Sequence, residues 1–243
     1  LTNNGTINWQ AGLIAFSNSP TITNNALWNI TGNNSTSQFL TPGTINNTTS
    51  GIITKTSSGT SSFTYVTTFI NSGTLNFNGG TTAVGGAGST TFTNTGALAF
   101  SSGAFTIQNG TTFNYNSGST VSGSGTLTNG ATMNLNTNAV FPAGMNVVNN
   151  GTFTGVGNLT LNSDFVIQSQ FYGPGILTIN ANSFWIYGTL GRQFTVDATR
   201  TLTINTSNDK YLQANLTNNG TIVWQHGNII FDGFRTITNN NIW

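Results

Sequence analysis

One segment of this chain occurs twice. Residues 1–28 read LTNNGTINWQAGLIAFSNSPTITNNALW, and residues 216–243 read LTNNGTIVWQHGNIIFDGFRTITNNNIW. Aligned without gaps, 18 of 28 positions are identical. A domain built once has no use for a second copy of its opening, whereas a chain built by stacking units does. The first nonapeptide also recurs internally. LTNNGTINW at Leu1 is followed by FINSGTLNF at Phe69, FTNTGALAF at Phe92, VSGSGTLTN at Val121, VVNNGTFTG at Val147 and LTNNGTIVW at Leu216. The intervals are 68, 23, 29, 26 and 69 residues. The long ones are close to three times 23, so the spacing predicts roughly nine units of about 24 residues, within the range of solenoid repeats.

Inside a unit the pattern is strand, turn, strand. TLNFN and TMNLN alternate apolar and polar residues with period two, which places Phe, Leu, Ile and Val on one face and Thr and Asn on the other. Threonine suits a pleated surface because its branched Cβ restricts χ1. No stretch carries a 3.6-residue apolar period, so essentially no helix is expected. An antiparallel sandwich would accept such strands, but only a parallel β-solenoid requires one motif to return at one interval. The predicted fold is therefore all-β, a parallel β-solenoid of about nine coils per 215 residues. Residues 1–215 form one higher-order repeat, and residues 216–243 begin the next in the same solenoid.

Stacking places like on like. Asn3, Asn71, Asn94, Asn149 and Asn218 share one motif position and are expected to form a hydrogen-bonded amide ladder. Ile7, Leu75, Leu98, Leu127, Phe153 and Ile222 are expected to stack inside. Gly5, Gly73, Gly96, Gly151 and Gly220 lie between the strands and are expected to supply the positive φ of tight corners.

Composition limits the function. Thr, Asn and Gly make 113 of 243 residues; nine residues are charged and none is Glu. Lys55 is the sole charge before Asp164. Without a cluster of Lys and Arg, a nucleic-acid partner is not expected. The 27 aromatic residues and a net charge of +1 argue against disorder. There is no cysteine, and no apolar run approaches the ~18 residues of a membrane span. The first residue is Leu, and the repeated ends suggest a segment of something longer.

LTNNGTINW, FTNTGALAF and VNNGTF resemble the Asn/Gly/Thr-rich repeats of giant secreted microbial surface proteins, the filamentous-haemagglutinin-like and adhesin-like families. The resemblance covers most of the chain as a style of repeat. It implies an extracellular right-handed β-helix with a scaffold or adhesive role and no catalytic residues.

Three other readings have candidate residues. Parallel β-helices also carry polysaccharide-acting enzymes, and Arg192, Asp197, Arg200, Asp209 and Lys210 lie close enough in sequence for a lyase-like cluster; the alternative is a solvated charge patch. Outward Thr-x-Thr pairs mark some ice-binding solenoids. Here pairs occur at Thr21, Thr91, Thr126, Thr152, Thr201 and Thr236, among others, and the intervals of 70, 35, 26, 49 and 35 residues between these argue against one pair per coil. His226 is the only histidine, and Ala11 stands at its place in the first copy, so a turn residue is expected rather than a ligand. Trp9, Trp28, Trp185, Trp224 and Trp243 are expected to fill wide coils, with sugar stacking the alternative. Twelve Asn-x-Ser/Thr sequons, among them Asn4, Asn47, Asn150 and Asn219, permit glycans in a secreted protein. The expected function is a structural shaft that needs no cofactor or metal. Its expected partners are further copies or a longer repetitive chain, with ice binding and polysaccharide cleavage as alternatives.

Overall fold

A computed structural model describes residues 1–14, 18–32, 43–86 and 88–243. The turn that starts at Val66 shows the plan. Strand Val66–Asn71 lies on face 1, Thr74–Phe77 on face 2 and Thr81–Val84 on face 3. Strand Thr90–Asn94 then returns to face 1 and pairs in parallel with Val66–Asn71. Every ladder among the described residues is parallel, and each joins strands one coil apart. The fold is a parallel β-solenoid, as the repeat demands.

Face 1 is one continuous sheet of twelve strands, from Thr2–Asn3 to Ile229–Phe231. The chain therefore makes about eleven turns, a little over ten of them in the 215 residues expected to hold nine. At about 4.8 Å per turn they advance about 50 Å. Face 2 begins as a six-stranded sheet ending at Thr120–Gly123 and resumes as another from Ala139–Phe141 to Ile237–Asn239. Face 3 changes over in the same way between Asn146–Asn149 and Phe165–Ile167. The changeover accompanies a tighter coil. Bonded partners lie 21 to 24 residues apart in the early coils, as in Asn3–Asn24 and Asn47–Asn71. They are 20 apart at Asn129–Asn149 and 18 apart at Asn162–Asn180.

The coil count differs from the sequence reading because the motif does not always return to the same corner. It spans the corner between faces 1 and 2 at Leu1, Phe69 and Phe92. It spans faces 2 and 3 at Val121 and Leu216, and faces 3 and 1 at Val147. Intervals such as 29 and 26 residues thus contain one coil plus part of another.

Alternation drives the core. Phe69, Phe92 and Phe113 stack on face 1 with neighbouring ring centroids 4.7 Å apart, and Phe77 and Phe100 on face 2 at 4.6 Å. Each ring buried this way contributes about 2–3 kcal/mol of hydrophobic stabilisation. Leu75, Leu98, Leu127, Phe153 and Ile222 are all buried, and Ile7 packs against the same core from the first coil. They belong to several columns: Ile7, Leu75 and Leu98 on face 2, Leu127 on face 3, Phe153 on face 1 and Ile222 on face 3. Trp9, Trp28 and Trp185 are buried, whereas Trp224 and Trp243 on the last coil are exposed.

Candidate functional site: inner columns and an outer threonine face

The amide ladder exists in three pieces, one at each corner. At the corner of faces 1 and 2, Nδ2 of Asn3 donates to Oδ1 of Asn24 at 2.6 Å. Asn24 donates to Asn47, Asn47 to Asn71 and Asn71 to Asn94, each at 2.7 Å. All five are buried. The column ends where Tyr115 takes the next place. Asn94 is capped by Oγ of Ser119 at 2.9 Å, and Oη of Tyr115 donates to the Ser119 carbonyl at 3.0 Å. Asn129 and Asn149 form a second column, at the corner of faces 3 and 1, at 2.8 Å. Asn218 and Asn239 form a third, at the corner of faces 2 and 3, at 2.6 Å. The five asparagines expected in one ladder are thus divided: Asn3, Asn71 and Asn94 share a column, while Asn149 and Asn218 each head a different corner. Asn24, Asn47, Asn129 and Asn239 escaped the motif search because the residues after them depart from Gly-Thr. The shorter signal apolar-x-Asn (Ile22, Ile45, Leu127, Ile237) finds all four.

The duplicated segment builds the same corner at both places. Gly5 N donates to Asn3 Oδ1 at 3.1 Å, as Gly220 N does to Asn218 Oδ1. Asn25 Nδ2 bonds Asn4 Oδ1 at 2.8 Å, as Asn240 bonds Asn219. The corner is thus a portable unit, indifferent to the faces it joins.

The motif glycines serve a purpose other than the one expected. None of Gly5, Gly73, Gly96, Gly151 and Gly220 has positive φ. A Cβ at Gly73 would lie 2.1 Å from the carbonyl oxygen of Gly51, and one at Gly96 would lie 2.1 Å from that of Gly73. At Gly151 and Gly220 the distances to the coil below are 2.0 and 2.1 Å. Coils approach so closely here that no side chain fits. Gly5, on the first coil, has nothing within 4 Å.

Three of the five cations are buried without an acidic partner. Lys55 Nζ donates to the carbonyl of Ser57 at 2.7 Å and to its hydroxyl. Arg192 donates from Nε to Tyr172 O at 2.7 Å, from Nη1 to Gly157 O at 2.7 Å and from Nη2 to Gly155 O at 2.9 Å. Lys210 Nζ caps the carbonyls of Thr206 and Asn208. Each cation donates to turn carbonyls and so satisfies acceptors that the strand ladders leave over. This corrects the solvated-patch reading: Arg192 and Lys210 face inward, while Asp197 is exposed and holds its own turn through Ala198 N at 2.7 Å. Asp209 accepts from Asn228 at 2.9 Å. Among the described residues no three His, Cys, Asp or Glu side chains cluster, and His226 is exposed on the last coil. Of the named sequons, Asn4 and Asn150 are exposed, but Asn47 is buried within its column.

Burial lowers the Lys55 and Lys210 amines, Asp209 partly opposing the shift at Lys210, and lowers the Arg192 guanidinium to about 10. It pushes the Tyr115 phenol up to about 12. The signs differ. For the lysines the folded state binds its proton less tightly, so stability rises with pH up to the unfolded value of 10.5. For Tyr115 the unfolded chain ionises first, so stability falls as pH rises from 10.0 to about 12. Tyr115→Phe therefore loses less stability than the parent over that interval, read as urea midpoints at pH 9.5 and 11.5. An equal loss in both proteins removes Tyr115 as the cause.

The outer surface of face 1 carries a second column. Thr21 pairs with Thr44, Thr44 with Thr68, Thr68 with Thr91, Thr91 with Thr112, Thr112 with Thr132 and Thr132 with Thr152. Seven threonines on successive coils lie in register. A bulge after Gly43 sets Thr67 aside and keeps Thr68 above Thr44. Beside them, two residues on, run Thr23, Asn46, Ile70, Thr93, Asn114, Asn134 and Thr154. As the intervals indicated, Thr-x-Thr does not recur on every coil: of the seven coils three supply Thr-x-Thr, three Thr-x-Asn and one Thr-x-Ile, while the first threonine of each is kept in register. A single outward file of Thr160, Thr178, Thr195, Thr217 and Thr238 runs up face 2.

Fold and columns together define a Thr/Asn-rich parallel β-solenoid repeat protein. Comparison with protein-family models, curated proteins and solved structures finds no match.

Proposed function

We propose that this chain is a shaft segment of an extracellular filament, stalk or adhesin, and that its work is mechanical rather than catalytic. The observation that carries the reading is the bonded asparagine column, which ties coil to coil along the axis without ions or reactive groups. The buried cations support it, because they are engaged with turn carbonyls and are not free to act on a substrate. A charge close to zero gives little self-repulsion, which favours association of shafts side by side or end to end. The exposed sequons Asn4 and Asn150 are where glycans would attach.

Single-molecule pulling tests the reading. A shaft resists force and then yields one coil at a time. Each coil of about 20 residues releases about 70 Å of chain at ~3.5 Å per residue, and electron microscopy of the same material shows straight rods. Yielding as a single featureless extension at low force overturns the proposal. So does cleavage of an acidic polysaccharide that Asp197→Ala abolishes.

A further inference from the structure

From the outer surface of face 1 we infer that this protein binds ice, with the seven-threonine column and its neighbouring row as the contact surface. The inference is independent of the shaft reading, because it uses side chains that point away from the core. Three observations meet here. The first is periodicity in two directions. Threonines repeat at the coil spacing of about 4.8 Å along the column, and the second row stands about 6.7 Å away along the strand. In a tetrahedral water lattice with hydrogen bonds of 2.7–2.8 Å, second-neighbour oxygens lie about 4.5 Å apart and the lattice repeats at about 7.4 Å across them. The two grids agree closely enough for several coils to be matched at once.

The second observation is that the hydroxyls are unengaged. From Thr21 to Thr132 the column makes no side-chain hydrogen bond to any described residue; Thr152, at its end, bonds Gln170 at 3.2 Å. The amides differ: in the neighbouring row Asn134 donates to Asn114 at 2.9 Å, as on face 2 Asn29 does to Asn8 at 2.9 Å, so the free donors and acceptors of this surface are the column hydroxyls. Hydroxyls held at fixed χ1 by the branched Cβ, with no protein partner, bond ordered water without rearrangement, and their methyls fill the gaps between lattice oxygens. The third is charge. No charged residue occurs on face 1 in these coils, so a neutral surface meets a neutral lattice. Above Thr152 the register passes to Gln170, Thr189, Tyr211 and Ile230, so the patch is confined to the first coils.

The test measures thermal hysteresis and ice recrystallisation with the whole chain. One comparison is the double variant Thr91→Tyr, Thr112→Tyr; the other is Thr178→Tyr, Thr195→Tyr on face 2. Tyrosine is favoured in strands, and circular dichroism with melting confirms that all three proteins fold. The parent and the face 2 variant are expected to hold and shape ice crystals, and the face 1 variant to lose at least fivefold of the hysteresis. A folded parent without hysteresis overturns the inference, as does equal loss in both variants. Binding to crystalline chitin or cellulose, or dimerisation in sedimentation, overturns it if the parent lacks hysteresis and the face 1 variant abolishes the binding. None of these outcomes bears on rod stiffness, so the shaft reading stands or falls separately.

Discussion

Gly96→Ala destabilises this protein by about 2 kcal/mol or more, the scale of overpacking in a closed interior. The expectation runs against backbone entropy. Alanine at a glycine whose φ an L-residue tolerates commonly adds about 0.4–1 kcal/mol of stability by restricting the unfolded chain, and Gly96 does not have positive φ. Sterics decide the sign. The added Cβ would sit 2.1 Å from the Gly73 carbonyl oxygen, and that oxygen already accepts Ala97 N at 2.8 Å. Neither backbone can yield without breaking a rung of the ladder. Gly5→Ala serves as the internal control, since nothing lies within 4 Å of its Cβ position. Urea midpoints for the two variants check the argument: a raised or unchanged midpoint for Gly96→Ala sinks it.

The second large effect is at Asn71. An amide side chain can accept from the coil below and donate to the coil above at the same time. Asn71 does both at 2.7 Å, fully buried. Asn71→Asp keeps the shape and loses the donor. At pH 7 the carboxylate faces Asn94 Oδ1, and an unpaired buried charge costs about 3 kcal/mol or more. When protonated, the carboxyl regains an O–H to donate upward. The folded state then binds the proton more tightly than the unfolded chain does. The variant is therefore expected to recover stability as pH falls towards ~3.9, the unfolded value for aspartate. Denaturation at pH 7 and pH 3 measures this. A variant as stable as the parent at pH 7, or one without acid rescue relative to the parent, refutes the column as an energetic element.

Much of this molecule was legible in its sequence, and what was missed has identifiable causes. Period two placed Leu75, Leu98, Leu127, Phe153 and Ile222 inside, because alternation is fixed by the pleat whichever face a strand joins. The motif told where corners lie but not which corner, since faces 1, 2 and 3 accept the same Asn-x-Gly-Thr turn. That is why Asn149 and Asn218 fell into other columns and why the coils were undercounted. Arg192 and Lys210 were read as a lyase-like cluster or a solvated patch, yet alternation already pointed inward: Arg192 follows Leu190 at inward spacing, as Lys55 follows Ile53. Lys210 precedes Leu212 in the same way. The threonine face was invisible to a search for identical triplets, because ladder register, not sequence interval, aligns its rows.

The portable corner has one more consequence. The copy at Leu1 joins faces 1 and 2 and the copy at Leu216 joins faces 2 and 3, ten turns and one face later. Were 215-residue units to follow each other at this pitch, each would be rotated by about a third of a revolution against the last, and the orientation would repeat after every three units. Any surface decoration would then wind round such a rod as a single spiral with three units per turn, visible as an axial superperiod of three units in fibre diffraction.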